Sequence, residues 1–259
     1  MTIQSFFDQL GNEVSYQYPP KRIISLVPSQ TELLADLGLE HQVVGITKFC
    51  VHPSQWRRTK TIVGGTKDFQ FDIIDALKPD LIIGNKEENY INGIARLKQR
   101  YPVWLSDIVT LHDAYSMITS LGAITDTVTQ ANLIAYDIEE RMRTVEKKSA
   151  QSVLYLIWRK PWMAAGSGTF IDSILNLLNL RNAMANIPRY PELSTEQIAL
   201  LKPDLIFLSS EPYPFREKHI DELGQMNEST KVILVDGEMF SWYGSRLLKA
   251  AEYFNHLNL

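Results

Sequence analysis

The chain of 259 residues contains one cysteine, no basic excess and no long apolar segment. Since Cys50 is alone, neither an internal disulfide nor a zinc site built from paired thiolates is possible. The formal net charge of -4 argues against a nucleic-acid surface, which normally carries a basic excess. No apolar run reaches the roughly 18 residues that span a bilayer. The composition, 45% apolar and 22% charged, is that of an ordinary globular chain.

The sequence also lacks the common catalytic motifs and a recognisable leader. It has no G-x-S-x-G, Walker, G-x-G-x-x-G or H-E-x-x-H pattern, so we expect no enzyme. The glycine-rich turn at 165–169 precedes a predicted helix, and we interpret it as a connection. Residues 1–8 have neither the basic nor the apolar region of a signal peptide. We therefore expect either a cytoplasmic chain or a mature form that begins at a new Met.

A segment of the first half of the chain recurs in the second half. A Lys-Pro-Asp tripeptide begins at Lys78 and again 124 residues later at Lys202. In both copies a short helix ends before the proline, because a residue that precedes proline disfavours the α region. A continuous apolar run follows, which is typical of a strand buried on both faces of a parallel sheet. The repeat predicts two lobes of similar structure.

The elements around the repeat indicate an α/β fold. Opening strands are predicted at 22–27 and 152–157, and strands that alternate with helices favour parallel sheets. Between the halves, residues 125–148 carry one apolar stripe and no Gly or Pro, which predicts a helix of about 36 Å. We predict two similar Rossmann-like lobes with parallel sheets, at 1–124 and 149–259, joined by this one long rigid α-helix.

Four segments carry a resemblance to a known family. They are Arg-Ile-Ile-Ser-Leu-Val-Pro-Ser-Gln-Thr-Glu at 22–32, and the segments 72–83, 194–207 and 240–246. The chain resembles the periplasmic binding proteins of metal-chelate ABC transporters that have a helical backbone between their lobes, and within them the vitamin B12-binding and ferric-siderophore-binding members. The resemblance implies a monomer, without a covalent cofactor, that captures a corrinoid or iron-siderophore chelate between two lobes. It would deliver this ligand to a membrane permease, and would lie in the periplasm or be membrane-anchored outside the cytoplasm.

Members of this family carry one acidic residue on each lobe that docks onto arginines of the permease. Asp72 and Glu196 stand at these positions, with Asp in place of the longer Glu in the first lobe. Two carboxylates on two lobes can report lobe spacing through charge-assisted hydrogen bonds. The alternative is that both are acids favoured at a helix N-terminus by the helix dipole. Both interpretations stay open.

Aromatic and arginine residues gather at the predicted strand exits, where ligands of such folds bind. Flat rings suit the faces of a macrocycle or catecholate, and arginine neutralises carboxylates or phosphate. By resemblance, Phe49, Tyr190 and 238–242 face the ligand in the B12-binding members, whereas Thr66 and Asn85 stand where those members carry rings. Core packing is the alternative for each ring. The predicted ligand-binding residues are Phe49, Tyr90, Trp158, Arg159, Trp162, Arg189, Tyr190, Glu238, Trp242 and Arg246.

Direct metal binding is a weaker hypothesis. Of the five scattered histidines only His52 falls in a loop near the predicted cleft, and the fold would have to bring it to glutamates such as Glu87 or Glu211. We therefore predict no metal site. Two other classes stay open: a cytoplasmic tetrapyrrole or cofactor-handling enzyme such as a metal chelatase, and a sensor or scaffold that has lost its ligand.

Overall fold

The computed structural model describes residues 2–225 and 230–259. It contains two compact units, which we call the first and the second unit. The first comprises Met1–Ile108, His112–Glu140 and Tyr243–Leu248, and the second comprises Val109–Leu111, Arg141–Trp242 and Lys249–Leu259. Every helix in the described part of the chain is too short or too polar to cross a bilayer.

The first unit is built on a five-stranded parallel sheet. Its strands follow the order β5-β4-β3-β8-β9, with every neighbouring pair parallel. The interior strands β3 and β8 are buried throughout, which explains their largely apolar sequences. In chain order the elements are β1 (Thr2–Phe7), β2 (Glu13–Tyr18), β3 (Ile23–Ser25), α1 (Pro28–Asp36), β4 (Val43–Ile46), α2 (Trp56–Thr59), β5 (Thr61–Ile62), β6 (Gly64–Gly65), β7 (Asp68–Phe69), α3 (Phe71–Leu77), β8 (Leu81–Asn85), α4 (Ile91–Lys98), β9 (Val103–Ser106), α5 (Leu111–Thr125) and α6 (Val128–Arg143).

An antiparallel hairpin of β1 and β2 precedes the sheet, and the sequence analysis did not predict it. Val14 and Tyr16 of β2 are buried while Glu13 and Ser15 are exposed, which is the two-residue period of a half-buried strand. The Tyr16 hydroxyl donates to the carbonyl of Ile124 at 2.6 Å. The hairpin is thereby attached to the end of α5.

The second unit has a mixed sheet rather than the parallel sheet predicted for it. β10, β12, β14 and β15 are parallel, but β11 runs antiparallel to both β10 and β13. The chain reverses directly after β10, where Lys160 adopts a left-handed backbone conformation (φ 68°) before Pro161. The elements are β10 (Ser152–Trp158), β11 (Trp162–Ala164), α7 (Phe170–Leu177), β12 (Arg181–Asn182), β13 (Glu192–Leu193), α8 (Thr195–Leu201), β14 (Leu205–Ser209), α9 (Glu217–Gly224), β15 (Lys231–Val235), α10 (Gly237–Ser241) and α11 (Leu247–His256).

The Lys-Pro-Asp repeat has the same structure in both units. In each copy a seven-residue helix, α3 or α8, precedes a five-residue strand, β8 or β14. Lys78 and Lys202 end these helices in the left-handed conformation (φ 47° and 43°). The Asp80 carboxylate accepts the backbone N–H groups of Lys21 and Arg22 at 2.7 and 2.8 Å, and that of Asp204 accepts the N–H of Ser152 at 2.7 Å. The aspartate of the motif therefore fixes the start of the neighbouring strand.

The helix between the halves is shorter than predicted. α6 has 16 residues and is roughly 24 Å long. The predicted helix is interrupted because α5 ends at Thr125 and Asp126 adopts a left-handed backbone conformation (φ 64°). Beyond Arg143, the backbone N–H groups of Glu146 and Lys148 bond to Asn255 and Leu178 instead of continuing the helix. The compact units also depart from the predicted boundaries, since residues up to 140 and the returning segment Tyr243–Leu248 belong to the first unit.

Candidate functional site

In the first unit, Phe49 presents an open ring beyond the carboxyl end of β4. The side chain is 51% exposed, and the Lys48 ammonium lies 5.2 Å from the ring centroid. The ring rests on the backbone of Gly65, where an added Cβ would lie only 3.1 Å from Phe49 Cε2 and 3.3 Å from Lys48 Cε. Phe49 and Lys48 therefore form a flat apolar surface with one positive charge at its side.

Tyr90 is partly buried and packs against the core of the first unit, and its predicted contact with a ligand stays a prediction. Its ring lies 4.8 Å from that of Phe69, and a Cβ added at Gly93 would fall 2.2 Å from Tyr90 Cζ. The ring is therefore packed against α4 and its neighbours. The next residue, Ile91, is 82% exposed and was not among the predicted site residues. It is the first residue of α4, and it lies near the strand exits only because α4 starts immediately after the loop that follows β8.

Asn85 stands where B12-binding members carry a ring, and here its side chain shapes a loop. It is buried, its Oδ1 accepts the N–H groups of Glu87 and Glu88 at 2.8 and 3.0 Å, and its Nδ2 donates to Ser106 Oγ at 2.9 Å. Thr66 is tied to the same region, since its carbonyl accepts from Asn89 Nδ2 at 3.1 Å. These polar residues hold the loop after β8 and add no aromatic surface.

Arg246 is not an open charge partner for a ligand. The residue is 6% exposed, its Nε donates to Glu32 Oε2 at 2.9 Å, and its Nη2 lies 2.7 Å from Glu32 Oε1. In the same returning segment, the Tyr243 hydroxyl donates to Glu88. Burial, reinforced by the negative charge of Glu88, raises the pKa of Tyr243 well above its ordinary value. Both contacts fix residues 243–248 to the first unit.

In the second unit, Trp158, Arg189 and Tyr190 are accessible. Trp158, at the end of β10, is 39% exposed, and its ring meets the edge of Tyr213 at 5.6 Å. Arg189 is exposed, donates to the carbonyl of Gly168 at 2.7 Å and lies 6.0 Å from the Tyr190 ring. Tyr190 itself is half-buried. These three side chains match the predicted chemistry of rings with an adjacent cation.

Trp162 and Trp242 are largely buried in the second unit, and their predicted role as ligand-facing rings stays a prediction. Trp162 is 7% exposed and stacks on Phe215 with centroids 6.1 Å apart. Trp242 is 6% exposed, and its Nε1 donates to Glu211 Oε1 at 2.9 Å. Burial raises the pKa of Glu211, which the hydroxyl of Ser241 also contacts at 2.7 Å.

Glu238 lies in the first turn of α10 and is half-buried. Its backbone N–H donates to the side chain of Asp236 at 3.0 Å. Because Asp236 caps the helix in this way, the position of Glu238 is fixed at the exit of β15. The contact of Glu238 with a ligand stays a prediction.

Arg159 lines a pocket of about 370 Å³ in the second unit. Its guanidinium pairs with Glu222 at 2.6 Å and lies 5.3 Å from the Trp162 ring. The hydrogen bond to Glu222 raises the pKa of Arg159. The pocket is lined by Arg159, Lys160, Pro161, Trp162, Leu193, Ser194, Thr195, Glu196 and Glu222. Arg159, predicted to bind ligand, thus shares a pocket with Glu196, predicted to dock.

The two predicted docking acids are both exposed. Asp72 lies in the first turn of α3 and Glu196 in the first turn of α8, at corresponding positions of the repeat. A hydrogen bond with the Ser194 side chain and a smaller contribution from a backbone hydrogen bond lower the pKa of Glu196. Their exposure is compatible with docking and with the helix-dipole alternative.

A metal site is not formed within residues 2–225 and 230–259, where no three His, Cys, Asp or Glu side chains are arranged to hold an ion. Cys50 is fully buried, and its Sγ lies 3.0 Å from Thr31 Oγ1 and 3.2 Å from Thr47 Oγ1. Burial raises the pKa of this thiol. Cys50 is therefore an inert packing residue.

Two α/β units with accessible rings beyond their strand exits are compatible with the binding of a small ligand. A model of the periplasmic binding protein family matches residues 23–229, and the chain belongs to this family. The members of the family are non-enzymatic components of transport. The alternative of a metal chelatase therefore has no support.

Relatives cover most of the chain. It is 25% identical over 261 residues to the uncharacterized ABC transporter substrate-binding lipoprotein YvrC of Bacillus subtilis (strain 168), over 95% of this chain and 82% of that protein. It is 27% identical over 241 residues to the vitamin B12-binding protein of Pectobacterium carotovorum subsp. carotovorum (strain PC1), over 90% and 86%. The periplasmic heme-binding protein RhuT from Roseiflexus sp. RS-1, in apo form, has a TM-score of 0.76 at 19% identity, over 91% of this chain and 98% of that chain. The last likeness shows a shared fold.

Proposed function

We propose that the chain is the substrate-binding component of an ABC transporter and that it binds a metal chelate of the corrinoid, haem or ferric-siderophore type outside the cytoplasm. The observation that carries the proposal is an accessible aromatic surface with an adjacent cation in each unit, at Phe49 with Lys48 and at Tyr190 with Arg189. The B12-binding and haem-binding relatives support the ligand class.

The charges around these rings narrow the chemistry of the ligand. Arg159 and Arg246 each have a carboxylate partner within the protein, at Glu222 and Glu32, and contribute no uncompensated charge. Lys48 lies beside the exposed ring of Phe49, and Arg189 lies beside the half-buried ring of Tyr190 in the other unit. A ring with one cation at its edge suits a ligand that is flat and apolar in its middle and anionic at its rim.

The proposal is tested by fluorescence titration with cobalamins, haem, ferric siderophores and free divalent metal ions. We expect one chelate class to quench tryptophan emission, because Trp158 is accessible at a strand exit. Phe49→Ala should weaken this ligand by about 1–3 kcal/mol, roughly 5- to 150-fold. Phe7→Ala is the matched control, since Phe7 is a 69% exposed ring of the hairpin. Binding of a bare metal alone, without a change in tryptophan emission, would replace the proposal with a metal-ion receptor.

We also propose that Asp72 and Glu196 dock onto arginines of the permease. Their exposure and their equivalent places in the repeat support this role. Asp72→Lys and Glu196→Lys should abolish stimulation of the transporter ATPase and leave ligand affinity unchanged. Glu13→Lys and Glu252→Lys, which reverse exposed charges elsewhere, are the controls. A parallel loss of ligand affinity would place the two acids in the ligand site instead.

A further inference from the structure

The pocket beside Glu196 has features that a lone docking carboxylate does not require. Its walls include the turn between β10 and β11, the start of α8 and Glu222 of α9. The apolar side chains of Trp162 and Leu193 line it, while Arg159 and Glu222 neutralise one another at 2.6 Å. A pocket of about 370 Å³ with these two apolar side chains in its walls has room for an apolar side chain of a partner beside the carboxylate of Glu196.

Leu200 extends this surface along α8. It lies four residues after Glu196, so both side chains point from one face of the helix. It is 78% exposed, among the most exposed large apolar side chains of the described residues. A single exposed leucine needs no explanation. Here, however, Leu200 stands one helical turn from Glu196, and Glu196 lines the pocket. An apolar side chain, a carboxylate and a pocket on one helix are the composition of a protein contact with a central anchor and a charged rim.

The first unit offers a different surface at the equivalent acid. Ala76 stands four residues after Asp72, where the second unit has Leu200. The sheet of the first unit is parallel throughout its described strands, whereas the pocket depends on the antiparallel strand β11. The repeat therefore conserves the acid but not its apolar surroundings.

We infer that the permease segment that docks on Glu196 also packs a bulky apolar side chain into this open pocket and against Leu200. The inference rests on the proposed docking function and adds the chemistry of the partner: an arginine next to an apolar side chain in one outward-facing loop. Arg159 and Glu222 then act as a positioning pair that keeps the turn between β10 and β11 in place.

The first test places a reporter at Leu200. Because the natural cysteine is buried, Leu200→Cys supplies one accessible thiol for an environment-sensitive fluorophore. Leu133→Cys on α6, which is 54% exposed, is the matched control. The partner permease–ATPase complex, reconstituted in lipid nanodiscs, is added to the ligand-loaded protein. A blue shift at position 200 and none at 133 is expected. Equal responses at both positions would overturn the inference.

The second test fills the pocket. Thr195 lines it and is exposed, so Thr195→Trp should occupy the cavity without disturbing the core. We expect Thr195→Trp and Leu200→Ser each to weaken the complex roughly tenfold, with ligand affinity unchanged. If Glu196→Lys abolishes the complex while both of these variants bind as the wild type, the inference alone is wrong. If Glu196→Lys also binds normally, the docking proposal itself is wrong.

Discussion

At the scale of single residues, Gly65 controls the position of the exposed Phe49 ring in the first unit. A Cβ there would meet Phe49 and Lys48 at 3.1 and 3.3 Å, which is tighter than ordinary contact. We predict that Gly65→Ala displaces the ring and weakens ligand binding as Phe49→Ala does, with little change in the free energy of unfolding. Gly224→Ala is the control, because its Cβ would enter open space. Unchanged affinity, measured by the same titration, would show that the ring position does not matter.

Arg246 is predicted to act on stability rather than on the ligand. Removing one member of a buried ion pair leaves the other charge uncompensated, so Arg246→Ala should lower the free energy of unfolding by about 3–5 kcal/mol. The double variant Glu32→Leu with Arg246→Met should regain most of this loss, because it removes both charges. Urea denaturation measures both effects. If Arg246→Ala has normal stability and loses affinity for anionic ligands but not for neutral ones, Arg246 contacts the ligand instead.

Glu211 gives the molecule a pH dependence whose sign follows from its raised pKa. Between the ordinary pKa of a glutamate and its pKa in the folded protein, the folded state holds more protons than the unfolded state. The contribution to stability therefore falls as the pH rises through this window. Glu211→Gln keeps an acceptor for Trp242 and should flatten the dependence. Denaturation at several pH values checks this, and identical profiles would contradict it.

At the scale of elements, the repeat was predictable because its causes are local. A proline that ends a helix and an apolar run that needs burial on both faces act within about 12 residues. The hairpin of β1 and β2 and the strand β11 were missed for the opposite reason. β11 has three residues, and it is a strand because residues on both sides of a reversal at Lys160 pair with each other. No periodicity accumulates over so few residues.

The aromatic residues near the strand exits differ in exposure for the same reason, because their exposure depends on pairing that the sequence does not show. Trp158 and Trp162 are four residues apart around one turn, yet the first is accessible and the second is stacked in the core. Both residues are tryptophan, so the sequence cannot distinguish them. Their different exposure follows from the reversal of the chain between β10 and β11. Exposed Ile91 was missed because a lone isoleucine carries no ligand signal in a sequence. Strand exits predict where a ligand would bind, whereas the exposure of each ring there depends on packing that the sequence does not show.

At the scale of the whole molecule, the net charge of -4 means that an anionic ligand gains nothing from long-range attraction. Its affinity must come from local cations beside the rings, at Lys48 and Arg189. We predict that Lys48→Gln and Arg189→Gln weaken haem, which carries two propionates, more than a cobalamin without free carboxylates. Because both cations are near the surface, added salt should reduce the difference between the two ligands.

This prediction separates ring stacking from charge recognition. Phe49→Ala should weaken the binding of haem and of cobalamin alike, since it removes apolar surface that contacts either, while the charge variants should weaken haem more than cobalamin. Titrations of the three variants at low and high ionic strength measure the contributions of ring stacking and of charge recognition to the affinity. If the charge variants weaken both ligands equally at every salt concentration, the two cations only hold the rings in place. The ligand would then be selected by its shape rather than by its charge.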